Sequence, residues 1–233
     1  MVRARDRRGI RQTVKKKTVK TILDILMTAA LPVLMAYSLV GEALHEIVGT
    51  AMLVLFITHH ILNRRSTAAM FRGKQTAVRI VNTALNVILF AVMILLPVSG
   101  IVMSKHLYTF LPTSGLSAIA RTAHLLLSYW GFVLMSLHLG LHADIWLNRL
   151  KRKKTAFITL SVIFTLIAAY GAFAFVANHL YEYIFLKTRF VFFDFDKPLI
   201  LTFAEYLTMI VLFAWILYWA KELLKHVNRT KKQ

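Results

Sequence analysis

Long apolar runs alternate with short polar segments along the 233 residues of this chain. A helix that crosses a bilayer needs about 20 consecutive, mostly apolar residues. The first run follows a basic segment, as in a signal peptide, but it is longer than a typical signal-peptide core and has no convincing small-residue cleavage site, so we interpret it as a retained span. The pattern predicts an all-α fold, an integral membrane helical bundle of about six transmembrane helices, at approximately 20–40, 43–63, 78–103, 118–147, 155–179 and 198–222.

The spans and the charged segments divide the chain into three parts. A basic N-terminal segment covers residues 1–20, a four-helix core covers 21–147, and two additional transmembrane helices with a basic C-terminal tail cover 148–233. Because cytoplasmic loops carry an excess of Lys and Arg, we expect both termini to be cytoplasmic in a multi-pass protein of the cytoplasmic (inner) membrane. Of the 29 Lys and Arg residues, 24 lie in the N-terminal segment, the loops 64–79 and 149–154, and the tail from Lys221.

Composition excludes several classes of protein. The chain is 58% hydrophobic and 17% charged, whereas a soluble domain averages roughly 45–50% apolar and about 25% charged residues. The absence of Cys excludes disulfides, iron–sulfur clusters, thiolate-ligated haem and Cys-based zinc sites. The net charge of +19 is explained by topology, since the positive residues lie between spans. We therefore expect the lipid bilayer, and no nucleic acid, as a partner.

Two of the predicted spans share a histidine pattern. The second span contains His45 and His59, the fourth contains His124 and His138, and each pair is separated by 14 residues. This spacing is about 40° short of four helical turns, so both imidazoles of a span face nearly the same way, roughly 21 Å apart along the axis. Both spans are predicted to run from outside to inside. The first histidines of the two spans therefore share a depth near the outer face, and the second histidines share one near the inner face.

Facing imidazoles at matched depths indicate ligands for planar metal cofactors. Haem iron accepts two axial imidazoles, and with both positions filled it carries electrons rather than binding oxygen. We therefore predict two b-type haems as cofactors. The predicted axial iron ligands of the outer haem are His45 and His124. Those of the inner haem are His59 and His138.

Further side chains near these histidines are candidates for haem contacts. Gly49 and Ser128 align when the chain is shifted by 79 residues, and as small residues they are predicted to pack against the haem. Asn63 and His142 are predicted to bond to the propionates of the inner haem. Arg121, one turn before the ligand of the fourth span, is a candidate for an outer propionate and equally a candidate for an interfacial anchor.

Other polar residues have simpler interpretations. His60 points about 100° away from His59 and has no counterpart in the fourth span. His106, near the outer end of the third span, is expected to be an exposed loop residue. Asn82 and Asn86, one turn apart in the third span, are expected to bond across helices.

Three carboxylates lie at or within the predicted spans, where ionisable groups are functional candidates by default. Asp24 and Asp144 are expected to pair with neighbouring cytoplasmic Lys or Arg. Glu205, beside Tyr206, is a candidate proton acceptor for quinol oxidation. The external segment at about 180–197 is rich in aromatic residues and is expected to lie in the membrane interface.

The second and fourth spans resemble a known family. The stretches MAYSLVGEALHEIVGTAMLVLFITHHILNRR and RTAHLLLSYWGFVLMSLHLGLH are similar to the flavinylation-associated cytochrome domain family, and the resemblance covers about residues 20–147. The histidine pattern is also similar to the bis-histidine pattern of cytochrome b. The chain departs from the family at Ala143, where a tryptophan is expected. The resemblance implies a haem-bearing electron carrier that works with proteins carrying covalent flavin outside the membrane.

These observations lead to one expected function and two alternatives. We expect a dihaem b-type membrane cytochrome that transfers electrons across the bilayer. By the resemblance, it connects the quinol pool with an extracytoplasmic flavinylated or other redox partner, as an electron-transfer subunit rather than a stand-alone catalyst. The alternatives are a His-lined metal-cation transporter and an intrinsic membrane ferric or quinone reductase, with Glu205 or His106 at its substrate pocket.

Overall fold

The computed structural model describes residues 2–112 and 115–230, except for the side chains of 2–15, 145, 146, 148, 149 and 228–230. Every regular element in this part of the chain is a helix, which confirms the predicted all-α bundle. The helices are α1 (Val2–Met35), α2 (Tyr37–Val40), α3 (Glu42–Met70), α4 (Ala77–Met103), α5 (Ser117–Leu150), α6 (Lys154–Ala177), α7 (Leu180–Ile184) and α8 (Leu199–Thr230).

Six helices in the described part of the chain are long and apolar enough to cross a membrane. Each coincides with one of the six runs predicted from the sequence, so the chain is a multi-pass membrane protein whose environment is a lipid bilayer. The spans are Lys16–Met35, Glu42–Met70, Ala77–Met103, Ser117–Asp144, Lys154–Ala177 and Leu199–Val227.

The helices form a bundle in which α3 and α5 are not direct neighbours. Helix α1 packs along α3, α4 packs along α5, and α8 lies between α5 and α6. Helix α3 also contacts α4, but α3 and α5 have no extended contact along their lengths. Side chains alone therefore connect the two helices that carry the paired histidines.

Two glycines determine how closely α8 approaches its neighbours. A Cβ at Gly140 in α5 would run into the backbone of Ala214, and one at Gly171 in α6 would run into the backbone of Thr208. Small residues of this kind allow close helix packing in a bilayer, where lipid supplies no hydrophobic drive for association. Helix α8 is thus held closely against α5 on one side and α6 on the other.

The bundle has two ends, which we name by the chain segments they contain. The terminal end contains the start of α1 and the ends of α3, α5 and α8, which are joined by bonds such as Lys20–Asn63 and Lys151–Glu222. The loop end contains the turn at Gly41 and the segments that follow α4 and α6. Gly41 has a φ of 81°, a left-handed conformation that glycine adopts without steric cost.

A carboxylate of α3 fixes the segment that follows α4. Glu46 accepts a hydrogen bond from the Ser104 hydroxyl at 2.7 Å and from the backbone N–H groups of Lys105 and Leu107 at 2.7 and 2.9 Å. Charge-assisted bonds to backbone N–H groups are among the stronger hydrogen bonds in proteins. The segment after α4 is therefore folded over the loop end of α3.

The segment between α6 and α8 is only partly the exposed aromatic belt that the sequence suggested. Its short helix α7 turns inward, so that Leu180 and Tyr183 are buried in the core beside α5 and α8. Phe190, Phe192 and Phe195 remain at least 74% exposed. The aromatic content of this segment therefore serves two purposes, since one part completes the core and the other faces outward at the loop end.

Candidate cofactor site between α3 and α5

The first histidine pair, His45 in α3 and His124 in α5, lies near the loop end of the bundle. The two ring centroids are 6.0 Å apart and the ring planes are inclined at 71°. The pair joins the two helices that have no extended contact with each other. The structure thus brings together the two imidazoles that the sequence pattern paired.

The separation of the first pair suits two imidazoles that share one metal ion. A bond between a metal ion and an imidazole nitrogen is about 2 Å long, and that nitrogen lies about 1 Å from the ring centre, so two imidazoles on opposite sides of one ion have centroids about 6 Å apart. The observed 6.0 Å between His45 and His124 agrees with this value.

The His124 imidazole is oriented by α4. Its Nδ1 lies 3.3 Å from the Leu96 carbonyl oxygen and 3.1 Å from the Ser99 hydroxyl oxygen. A carbonyl oxygen can only accept hydrogen bonds, and the Ser99 hydroxyl directs its own proton to the same Leu96 carbonyl at 2.7 Å. The Nδ1 atom of His124 must therefore carry a proton and donate it. This tautomer leaves the lone pair of Nε2 free, and metal-ligating histidines are commonly held in this way.

The His124 imidazole also packs closely against Gly100 of α4, which leaves no room there for a larger residue. A Cβ at Gly100 in α4 would approach the Cε1 atom of His124 to 3.2 Å. Ser99 and Gly100 were not identified from the sequence, because nothing in their spacing relates them to a histidine on another helix. Their only sequence signal is a pair of small residues within an otherwise apolar span.

The His45 imidazole is buried beside Tyr37, with 5.2 Å between the ring centroids. Its Nδ1 is buried and has no hydrogen-bond partner among the described residues. Such a group calls for an explanation, because nearly all buried polar atoms are hydrogen-bonded. One turn away, a Cβ at Gly49 would make an ordinary contact with the Leu34 side chain, at 3.8 Å.

The hydroxyl of Tyr37 links this pair to the charged residues of the loop end. It donates to Glu42 at 2.9 Å, and burial together with this bond raises the pKa of Tyr37. The phenol therefore stays neutral next to His45 at ordinary pH. Arg121 acts electrostatically on the same tyrosine, which places its guanidinium at the end of the bundle where it was predicted.

The second pair, His59 in α3 and His138 in α5, lies toward the terminal end. His59 Nδ1 donates to the Asp24 carboxylate of α1 at 2.9 Å, which again leaves Nε2 free. Carboxylates commonly orient metal-ligating histidines through this bond. The Nδ1 of His138 is buried without a hydrogen-bond partner among the described side chains. Each pair therefore consists of one oriented imidazole and one whose buried Nδ1 is unsatisfied.

The second pair belongs to a larger cluster of imidazoles. His142 lies beside His138 with 5.1 Å between ring centroids, and His60 lies beside His59 with 5.5 Å. His138 is within electrostatic range of the other three rings. In the described part of the chain, no group of three or more His or acidic residues is arranged to hold a single metal ion.

The other predicted contact residues have partners that the sequence did not indicate. Asn63 accepts a hydrogen bond from Lys20 at 2.7 Å and donates to the His59 carbonyl at 2.9 Å. The lysine therefore adds a positive charge beside the amide at the terminal end. Ser128 donates to the Leu125 carbonyl of its own helix at 2.9 Å. The roles assigned to Asn63 and Ser128 in binding a cofactor stay predictions.

One expectation about the carboxylates needs correction, and the structure adds partners to another carboxylate. Asp24 was expected to pair with a neighbouring Lys or Arg, but it pairs with His59, because the helical register of α1 brings it to the imidazole. Glu205, the candidate proton acceptor, is 8% exposed and forms an ion pair with Lys197. It also accepts a hydrogen bond from Asn178 at 2.8 Å. The role of Glu205 as a proton acceptor stays a prediction.

Of the remaining polar predictions, those for Asp144 and Asn86 agree with the structure. Asp144 pairs with the α8 residues Lys221 and Lys225 at 2.9 and 3.0 Å. Asn86 donates across helices to the Met70 sulfur at 3.3 Å. Asn82, expected to do the same, has a buried Oδ1 with no hydrogen-bond partner among the described residues.

Comparison with known proteins does not assign the chain to a family. No family model, no curated protein and no solved structure matches it. The resemblance to the flavinylation-associated cytochrome domain therefore stays a prediction that rests on the quoted stretches.

Proposed function

We propose that this chain is a membrane electron carrier that binds two b-type haems. The observation that carries the proposal is the first histidine pair, in which the ring centroids of His45 and His124 approach to 6.0 Å from two helices whose backbones have no extended contact. A haem with an imidazole on each side exchanges electrons and has no open position for oxygen.

The residues around each pair would orient the ligands. The carbonyl of Leu96 and the carboxylate of Asp24 hold the Nδ1–H groups of His124 and His59, so that the opposite nitrogen of each ring would be available to a metal. The other two imidazoles, those of His45 and His138, each have a buried Nδ1 without a hydrogen-bond partner among the described residues. Both pairs have the donor set that a b-type haem requires.

The interior between the two pairs is apolar, which favours an electron carrier over a cation pathway. Met52 and Phe56 of α3 pack there with Leu89 of α4 and Leu134 of α5 in one buried cluster. A path for a metal ion needs oxygen or nitrogen ligands along its length, because a bare cation in hydrocarbon is very costly. Electrons need no such ligands.

The proposal is tested by the visible spectrum of the protein purified in detergent. We expect reduced-minus-oxidised spectra typical of six-coordinate b-type haem and a haem content of two per chain. Elemental analysis of the same sample should find iron in the same ratio. A preparation made with ample haem that contains none, or that binds a non-haem metal instead, would contradict the proposal.

The partners follow from the proposed carrier and from the resemblance. We propose that quinol donates the electrons and that an extracytoplasmic flavinylated or other redox protein accepts them. In this assignment the partner carries the flavin, since the sequence contains no recognisable nucleotide or flavin motif. The chain is then an electron-transfer subunit of an oxidoreductase system.

Replacement of Asp24 by asparagine is expected to weaken binding of the second haem by roughly tenfold to a hundredfold, the usual effect of removing a carboxylate that orients a metal-ligating histidine. The first haem should be unaffected, because its ligand His124 is oriented by α4 instead. The measurement is the rate of haem transfer to an excess of a haem-scavenging protein. Asp196→Asn, at an exposed carboxylate of the loop end, is the matched control, and equal loss in both variants would show that Asp24 has no such role.

A further inference from the structure

A groove on the outer surface of α3 and α4 has no role in the proposed electron carrier. Its volume is about 370 Å³, and nine of the ten side chains that line it are apolar. Sites for small molecules in proteins have volumes of about 300–1,000 Å³. Ile61 and Val98 on its walls are 61% and 53% exposed, so the groove opens toward the surface that faces lipid.

The polar member of the lining is His60. Its Nδ1 donates to the Phe56 carbonyl of its own helix at 3.1 Å. A neutral imidazole with the proton on Nδ1 has an unshared pair on Nε2 and can accept one hydrogen bond there. The ring contacts two aromatic side chains, with centroid distances of 4.3 Å to Phe56 and 4.9 Å to Phe90.

These features together match one class of lipid-soluble ligand. A hydroquinone has a flat ring that packs against aromatic side chains and hydroxyl groups that donate hydrogen bonds. Its isoprenoid tail needs an apolar channel, and the α4 wall from Phe90 to Ile101 is roughly 16 Å long at 1.5 Å per residue. An acyl chain of a phospholipid would fill the channel but has no donor for His60.

We propose that this groove binds an isoprenoid hydroquinone, with one hydroxyl donating to Nε2 of His60 and the tail along α4. The inference rests on the proposed electron carrier for its purpose, because a hydroquinone is the electron-carrying substrate. The location of the binding site is inferred from the groove itself. His60 is 5.5 Å from His59, centroid to centroid, so the bound head group lies beside the second histidine pair.

The hydrogen-bonding pattern of His60 sets a preference between the two redox forms of the ligand. A hydroquinone hydroxyl donates to Nε2, whereas a quinone carbonyl is an acceptor and would face another acceptor. Because one hydrogen bond is involved, the reduced form should bind roughly tenfold more tightly than the oxidised form.

The test measures binding directly, without electron transfer. The probes are radiolabelled decylbenzohydroquinone and its quinone, titrated anaerobically against the full chain in lipid nanodiscs. His60→Leu should weaken hydroquinone binding by roughly tenfold and abolish the preference for the reduced form. Ile94→Trp, which fills the groove, should prevent binding of both forms. Leu95→Trp is the matched control, because Leu95 is exposed on the same helix and does not line the groove.

A photoreactive hydroquinone on the unmodified chain gives a second measurement that does not depend on variants. Label is expected on peptides of α3 and α4 around His60. Equal labelling of all lipid-facing helices, or unchanged hydroquinone binding in both groove variants, would overturn the inference. Binding that is lost in Ile94→Trp but unchanged in His60→Leu would show a channel for lipid tails only, which also overturns it.

The haem content of every sample separates this inference from the proposed function. His60→Leu should retain all of its haem, and a loss would show that His60 ligates iron and is not a hydroquinone partner. If the unmodified chain contains no haem but binds the hydroquinone with the expected preference, the electron-carrier proposal fails and the groove assignment stands. If haem is present and the groove variants bind the hydroquinone as the unmodified chain does, the groove assignment fails and the electron-carrier proposal stands.

Discussion

Replacement of His124 by alanine is expected to remove one of the two proposed haems and to leave the other spectrally intact. The physical reason is that His124 is the oriented member of the first pair, held by the Leu96 carbonyl at 3.3 Å. Among the described residues, His124 is also the only histidine whose ring contacts His45, so no other imidazole could replace it. Haem content per chain should fall by half. Haem quantification and reduced-minus-oxidised spectra of the purified variant provide the measurement.

The partner variant and a control make this test specific. His45→Ala should remove the same haem as His124→Ala, and the double variant should lose no more than either single one. His106→Ala changes a half-exposed histidine at the same end of the bundle and should retain both haems. If His45→Ala and His124→Ala each remove a different haem, the pairing across α3 and α5 is wrong.

Replacement of Asp144 by alanine is expected to destabilise the bundle by about 3–5 kcal/mol, the cost of leaving a buried charge without its partner. The uncompensated charge is that of Lys221, whose side chain is 3% exposed and whose ammonium lies 2.9 Å from the carboxylate. The Leu141 carbonyl, at 2.8 Å, is the acceptor that remains. The midpoint of thermal unfolding in detergent is the measurement.

A compensating variant distinguishes charge from packing in this cluster. When Asp144→Asn is combined with Lys221→Met, no unpaired charge is buried, and most of the lost stability should return. Glu222→Gln is the control, because its carboxylate is 25% exposed and an exposed ion pair contributes at most about 1 kcal/mol. If the double variant is as unstable as Asp144→Ala, the lost stability comes from packing and not from the buried charge.

The spans could be predicted from the sequence because a bilayer imposes a minimum length on every helix that crosses it. The paired histidines could be predicted for a related reason. Two positions 14 residues apart on a straight helix have nearly the same direction, so equal spacing on two like-directed spans implies matched depths. The ring contact between His45 and His124 is the part of that prediction that the geometry supports most directly.

The residues that orient the ligands could not be predicted, because they depend on how helices pack. Ser99 and Gly100 reach His124 from α4, and Asp24 reaches His59 from α1. No spacing within one helix encodes a contact with another. The carboxylate of Glu46 was missed for the same reason, since its partners are backbone N–H groups about 60 residues further along the chain.

The separation of α3 from α5 bears on how this protein is made in the cell. Because the backbones of these two helices have no extended contact, a group that binds both of them adds its binding free energy to the stability of the bundle. If the proposed haems bind between α3 and α5, the newly inserted chain is least stable along this seam before it binds porphyrin. We expect its abundance in the membrane to follow the supply of porphyrin, with membrane proteases removing the chains that are left without it.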